Sequence, residues 1–212
     1  MKNTTENTAN RSAVRTALRR EKIAAREALP PLEHARHSAP VEAHLALLLA
    51  RLAPRVLGFC WPFRGEFDCR PLVARLLADG VRACLPLVVE PDAAMAFREW
   101  RPDCAMAIDR HGIHYPVAGM ALTPDVLLMP VNAFDARGFR LGYGGGYFDR
   151  TLAALNPPPL AIGVGFELAR VATTHPGVHD IALDAVVTEA GLERFSARLG
   201  DPGRDPGAQR SS

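Results

Sequence analysis

No apolar run in this sequence reaches the roughly 18 residues that a membrane-crossing helix needs, so no membrane partner is expected. The first ten residues, Met1 to Asn10, are polar and lack the apolar core of a secretory signal. Basic residues exceed acidic ones by only two, 25 against 23. The chain has a formal net charge of +2, and no run of Lys or Arg forms a stripe for nucleic acid. The four cysteines, Cys60, Cys69, Cys84 and Cys104, include no C-x-x-C pair, so there is no metal-type spacing to read. With no export signal they are expected to be reduced thiols of a cytoplasmic protein. There is no G-x-S-x-G, and the few serines lie away from 130–150, which leaves no sign of a serine nucleophile.

What the sequence has is a concentration of glycine. Five glycines, Gly138, Gly142, Gly144, Gly145 and Gly146, fall within nine residues. Before them runs the apolar stretch Val126 to Met129, read as a buried strand, and after them Tyr147 to Leu155 opens as a helix. Glycine gives up packing and costs backbone entropy on ordering, so a cluster needs a reason. One reason is a tight strand-to-helix turn, which one or two glycines satisfy. The other is an anion site, where bare N–H groups and a helix N-terminus face a phosphate. Arg140 adds a fixed charge and favours the second. No Gly-Lys-Ser/Thr follows, so this is not a P-loop, and Gly142-Tyr143-Gly144 lacks the third glycine of the dinucleotide fingerprint.

A length of 212 residues, 48% of them apolar and 23% charged, suits one globular domain, expected over 11–199. The ends, 1–10 and 200–212, are expected to be disordered. Arg11 to Leu29 reads as a helix, with Val14, Leu18, Ala25 and Leu29 on one face and Arg15, Arg19, Lys22 and Arg26 on another. By spacing alone that basic stripe is a solvated face. Ser38 to Leu52 reads as a second helix, capped by Ser38 with Pro40 in its first turn. Strands are expected at 55–60, 81–89 and 160–166, a hairpin partner at 95–100, and helices at 71–78 and 192–199. Strands alternating with helices imply a three-layer α/β/α sandwich with a mostly parallel, mixed sheet, Rossmann-like in character. Ligands of such sheets bind beyond the carboxyl ends of the strands, where the loop Trp61 to Asp68 falls. His111 and His114 read as polar loop residues. Pro176 and Gly177 interrupt any helix that would align His175 with His179, so no zinc site is read there.

The string Asn132-Ala133-Phe134-Asp135 through Arg140-Leu141-Gly142-Tyr143-Gly144-Gly145-Gly146-Tyr147-Phe148-Asp149-Arg150 closely resembles the signature of the 5-formyltetrahydrofolate cyclo-ligase family. The resemblance covers roughly 15–190. It implies the cyclo-ligase type of α/β fold and an ATP site made by Arg15, Arg19, Arg140, Leu141, Gly142, Tyr143, Gly144, Gly145, Gly146, Tyr147 and Phe148. Arg15 and Arg19 stand where the family carries a Lys-x-x-x-Arg pair, with arginine in place of the lysine. Glu66 matches the family's substrate glutamate, and Trp61 matches an apolar substrate contact, where an aromatic ring could stack on a flat heterocycle. Arg140 and Tyr147 are the implied catalytic residues, with Tyr147 also bordering the substrate. Phe148 replaces a usual tyrosine and so lacks its hydroxyl. The segment His111 to Pro116 has Tyr115 where glutamate is common, and nothing is carried over from it.

The family's closing segment, matched by His179 to Glu189, holds a magnesium ligand at Asp184. Asp149 and Asp184 would therefore share Mg²⁺ beside a bound triphosphate. Without a metal, Asp149 would simply favour its helix N-terminus, worth roughly 0.3–1 kcal/mol. The implied activity is ATP-dependent conversion of 5-formyltetrahydrofolate to 5,10-methenyltetrahydrofolate, releasing ADP and phosphate. The implied partners are thus a reduced folate and ATP, with a monomer or weak homo-oligomer expected. Two rivals remain open: a non-catalytic nucleotide or folate binder that kept the fold, and a sugar-phosphate isomerase using the glycine loop for a monophosphate. Retention of Arg19, Glu66, Arg140, Asp149 and Asp184 disfavours the first.

Overall fold

A computed structural model describes residues 2–200, with side chains from Asn10 onward. Helix α1 spans Lys2–Glu27 and α2 spans Pro31–Leu52. They are followed by β1 (Val56–Gly58), α3 (Arg70–Ala78), β2 (Arg82–Leu87) and β3 (Ala96–Trp100). A small hairpin, β4 (Met106–Ile108) with β5 (His114–Pro116), precedes β6 (Val126–Pro130). A second hairpin, β7 (Ala133–Phe134) with β8 (Arg140–Leu141), leads through the glycine loop into α4 (Tyr147–Ala154). The chain ends through β9 (Leu160–Val164), β10 (Ala185–Thr188) and β11 (Gly191–Arg194).

Seven strands form one sheet in the order β11-β10-β9-β6-β1-β2-β3. The five inner strands are parallel, and β3 and β11 close the edges antiparallel. Alternation along each inner strand divides the core into two. Leu57, Val126, Leu128, Ile162, Ala185 and Val187 face α2 and α3, meeting Val41, Leu45, Leu49 and Val73. Leu127, Met129, Ala161 and Val186 face the other way, against Leu152 of α4 and Phe134. A period of two with both faces apolar is what a parallel sheet covered on both sides requires. The expected mostly parallel, three-layer α/β arrangement is the one found. Helix α1 lies elsewhere, against β7 and the 3₁₀ turn Glu167–Ala169 that follows β9, so it crosses the carboxyl end of the sheet.

Four expectations change. Helix α1 begins at Lys2, so 2–10 is helical rather than irregular; the remainder of the expected C-terminal tail, 201–212, lies outside the described residues. Helix α2 starts at Pro31, not Ser38, because the Pro30-Pro31 pair supplies the N-terminal turn and Pro40 is absorbed inside the helix. His114 is a strand residue of β5. The segment 192–199 is not a helix. Gly191, at φ 132°, follows the turn through Glu189 and Ala190 and lets 191–194 fold back on β10 as a hairpin. The exposed backbone edge of β10 takes those hydrogen bonds in preference to a short helix, and only a 3₁₀ turn at Ala197–Leu199 remains.

Candidate active site

From β1 the chain moves to β2 on one side, and β6, β9 and β10 lie on the other. The reversal of strand order opens a crevice beyond the carboxyl ends of β1 and β6, where ligands of open α/β sheets bind. Residues 59–66 follow β1 into this crevice, and Val131 and Asn132 follow β6. A small cavity there is lined by Cys60, Glu66, Pro130 and Val164, among others.

The glycine loop forms the second wall. Gly144 and Gly146 hold φ of 103° and 65°, conformations that a side chain resists. Gly146 is the N-cap of α4 and no side chain caps that helix end, so the N–H groups of its first turn are left for a ligand. Arg19 reaches the loop from α1. Its Nε donates to the Gly142 carbonyl at 2.6 Å, and its guanidinium carbon would sit 3.4 Å from a Cβ at Gly144. Burial, and then the neighbouring charge of Arg15, lower its pKa. Among the described residues no carboxylate lies within ion-pair distance of Arg19. Arg150, which the sequence did not single out, flanks the loop from α4. It donates to the Gly145 carbonyl at 2.5 Å and lies 4.9 Å over the ring of Tyr147. Tyr147 itself packs edge-on against Gly145.

The other expected ATP contacts have partners within the protein. Arg15 is held by both oxygens of Asp180, at 2.7 and 3.0 Å, and by the His175 carbonyl. Burial works to raise the Asp180 carboxyl, and the Arg15 fork overrides it, holding it below the usual range. Leu141 is fully buried and its carbonyl accepts from the Asn132 amide at 2.9 Å. Phe148 packs against the core beside Leu152. Arg140 is 5% exposed. It donates to the Ile181 carbonyl at 2.8 Å and to Asp149 at 3.2 Å, and burial lowers its pKa while Asp149 opposes that shift.

Asp149 and Asp184, the two expected metal ligands, each carry a guanidinium and a backbone partner. Asp149 Oδ1 accepts from Arg140 and from the Ile181 amide at 3.0 Å. Asp184 precedes β10 and accepts from the Ala161 amide at 2.8 Å and from Arg198 at 2.9 Å. Ala161 lies near the start of β9, and Arg198 also grips the carbonyls of Pro158 and Pro159. Asp184 therefore braces the amino-terminal edge of the sheet, the end away from the crevice. Each carboxylate already has a guanidinium and a backbone N–H. Among the described residues no three His, Cys, Asp or Glu side chains gather as metal donors would. Each uses one oxygen for these bonds, Oδ1 of Asp149 and Oδ2 of Asp184, and the two carboxylates have separate structural partners.

On the β1 side, Trp61 stacks on His114, ring centroids 4.9 Å apart, with the Arg70 guanidinium 4.3 Å from its ring. Glu66 is 8% exposed, and its two oxygens accept from the Tyr143 hydroxyl at 2.6 Å and the Phe63 amide at 3.1 Å. Burial pushes the Glu66 carboxyl above its ordinary value, against the lowering influence of Tyr143, Arg26 and the Phe63 amide. Burial and the facing Glu66 raise the Tyr143 phenol; the residue is 41% exposed, but its hydroxyl is turned inward to Glu66. Arg26, Asn132 and Arg150 are the site residues that sequence reasoning missed. Arg26 was visible only as the last member of a basic stripe.

The raised Glu66 gives a pH test. A carboxyl that holds its proton more tightly when folded adds stability below the ordinary range near 4.5, and that stability is lost as pH rises through the raised value. Glu66→Gln carries no charge at any pH. Its stability, read as denaturant midpoint, is expected to fall less than wild type between about pH 4.5 and neutrality. Parallel pH curves for the two proteins would defeat this assignment.

These features define a class first: an α/β protein with an uncapped glycine loop at a helix start, a cation from its first helix over the loop, and a buried carboxylate in the crevice. The chain belongs to the 5-formyltetrahydrofolate cyclo-ligase family, whose model matches residues 8–189. It is 40% identical over 97 residues to the 5-formyltetrahydrofolate cyclo-ligase of Escherichia coli (strain K12), a match covering 42% of this chain and 53% of that protein. The chain thus aligns with about half the length of that relative. With the cyclo-ligase of Haemophilus influenzae it is 28% identical over 173 residues, 78% of this chain and 90% of that one. The solved structure of Aquifex aeolicus 5,10-methenyltetrahydrofolate synthetase superposes with a TM-score of 0.74 at 28% identity, covering 92% of this chain and 99% of the other. The synthetase of Mycoplasma pneumoniae shares the fold, with a TM-score of 0.67 at 22% identity. No helix among the described residues is long and apolar enough to cross a membrane.

Proposed function

We propose that the protein converts 5-formyltetrahydrofolate and ATP to 5,10-methenyltetrahydrofolate, ADP and phosphate, within one domain spanning about the family-matched residues. The observation that carries this is Arg19 poised over an uncapped glycine loop, opposite Glu66, at the strand-order reversal of a cyclo-ligase family member. The formyl oxygen attacks the γ-phosphorus of ATP, forming an O–P bond as the bond to ADP breaks. N10 then attacks the activated formyl carbon, a C–N bond forms, the C–O bond breaks and phosphate leaves. N10 loses its proton as the ring closes.

The protein's task in such a sequence is positioning and charge stabilisation, since phosphoryl transfer asks for little covalent chemistry from side chains. Arg19 and the loop N–H groups hold the triphosphate, with Arg150 at the loop's far side. Tyr147 borders the reacting ends. Trp61 and Glu66 face the pterin. Arg140 acts at one remove, tying Asp149 of α4 to Ile181 and so fixing the helix start that the phosphates meet.

The expected result is that purified protein with 5-formyltetrahydrofolate and ATP forms the methenyl product with one ADP per turnover. Product forming equally well without ATP, or ADP forming with no folate consumed, would sink the proposal.

A further inference from the structure

Arg26 belongs to a buried polar cluster that neither the phosphate contacts nor the ring closure uses. It is 5% exposed and reaches from the last turn of α1 to three other segments. Its Nε donates to the Arg64 carbonyl at 2.9 Å, in the loop after β1. Its Nη1 donates to Asn132 Oδ1 at 2.9 Å, just beyond β6. Its Nη2 donates to the Tyr143 hydroxyl at 3.1 Å, in the glycine loop. Tyr143 in turn donates to Glu66. We propose that Arg26 and Tyr143 are positioning residues that hold Glu66 for the pterin and couple folate binding to nucleotide binding at the glycine loop. The proposal rests on the cyclo-ligase activity for the identity of the two ligands.

The geometry supports each half. Glu66 accepts one hydrogen bond on each oxygen, and Arg26 stands 3.7 Å from Oε1 without taking a third. An ionised carboxylate has about four acceptor sites, so about two stay free in a fixed plane for the N–H edge of a flat heterocycle. The coupling follows from where Tyr143 sits. Of the residues on either side of it, Gly142 accepts from Arg19, and a Cβ at Gly144 would lie 3.4 Å from the Arg19 guanidinium carbon. A triphosphate that draws Arg19 and the loop together moves the Tyr143 hydroxyl, and with it the orientation of Glu66. Only a planar fork with several donors spans these three partners at once, so lysine is not an equivalent of Arg26. A clamp serving stability alone would show in melting temperature and leave the two ligands independent.

The test measures folate affinity by calorimetry on the full chain, with and without a non-hydrolysable ATP analogue. Wild type is expected to show a change of about fivefold or more, the usual lower range of coupling between sites. Tyr143→Phe keeps the ring against Phe63, 5.8 Å between centroids, and removes only the hydroxyl, so it is expected to fold. In it the ratio is expected to fall to within about twofold of one, and by reciprocity the folate loses its effect on nucleotide affinity. Arg26→Lys is expected to lose the same ratio and to raise the KM for folate more than it lowers kcat. A wild-type ratio of one, or a Tyr143→Phe ratio equal to wild type, overturns the proposal. A wild type that turns over without coupling sinks the linkage alone. One that binds neither ligand and makes no product sinks the proposed activity and the linkage together.

Discussion

Arg19→Ala is expected to lower ATP-dependent kcat/KM roughly 10- to 150-fold, the equivalent of one charge-assisted hydrogen bond at about 1.5–3 kcal/mol. Three arginines were candidates for this role, and their partners separate them. Arg15 is bidentate on Asp180, and Arg140 is buried on Asp149. Arg19 spends one donor on a loop carbonyl, which orients it, and keeps its terminal nitrogens beside the bare backbone of Gly144. Partial burial strengthens what it offers, because a charge drawn out of water interacts more strongly with an incoming phosphate. The loss is expected to appear in the KM for ATP and in kcat, with folate affinity in the absence of nucleotide unchanged. Arg20→Ala, one residue on and exposed, is the control and is expected to behave as wild type. Equal kinetics for the two variants would remove Arg19 from the phosphate site.

The glycine loop and its flanking elements were legible because their chemistry is local. An apolar run, a glycine cluster and a helix start follow one another without help from the rest of the chain, and β6, the loop and α4 stand where expected. The layering was legible too, since strands with both faces apolar require cover on both sides. The segment 192–199 was not. Leu192 and Phe195 fall at a helical spacing, and only the open edge of β10 decides that 191–194 pairs as a strand. Arg26 was hidden for a related reason. On a helical wheel it is one more cation on a solvated stripe, and its burial arises from loops at 64–66 and 131–132 folding over the end of α1. Pairing of Asp149 with Asp184 was inferred from roles carried by resemblance, and a sequence separation holds no information on which strand end each carboxylate reaches.

That placement sets the last expectation. Asp149→Asn leaves the Arg140 guanidinium, whose side chain is 3% exposed, without its counter-charge. Breaking a buried pair by removing one partner costs about 3–5 kcal/mol, and the 22% exposure of Asp149 puts this case near the lower end, at about 3. In a domain of this size each kcal/mol shifts Tm by about 2–4 °C, so a drop of about 6–12 °C is expected. Asp184→Asn weakens the bonds to Ala161 and Arg198 at the far edge of the sheet, worth about 1.5–3 kcal/mol for a charged acceptor. The two carboxylates share no partner, so the double variant is expected to lose the sum within about 0.5 kcal/mol. The Mg²⁺ concentration for half-maximal rate is expected to stay at the wild-type value in all three. A double variant scarcely worse than the poorer single one, together with a raised Mg²⁺ requirement, would instead mean that ligand binding releases both carboxylates from Arg140 and Arg198 and brings them onto one ion.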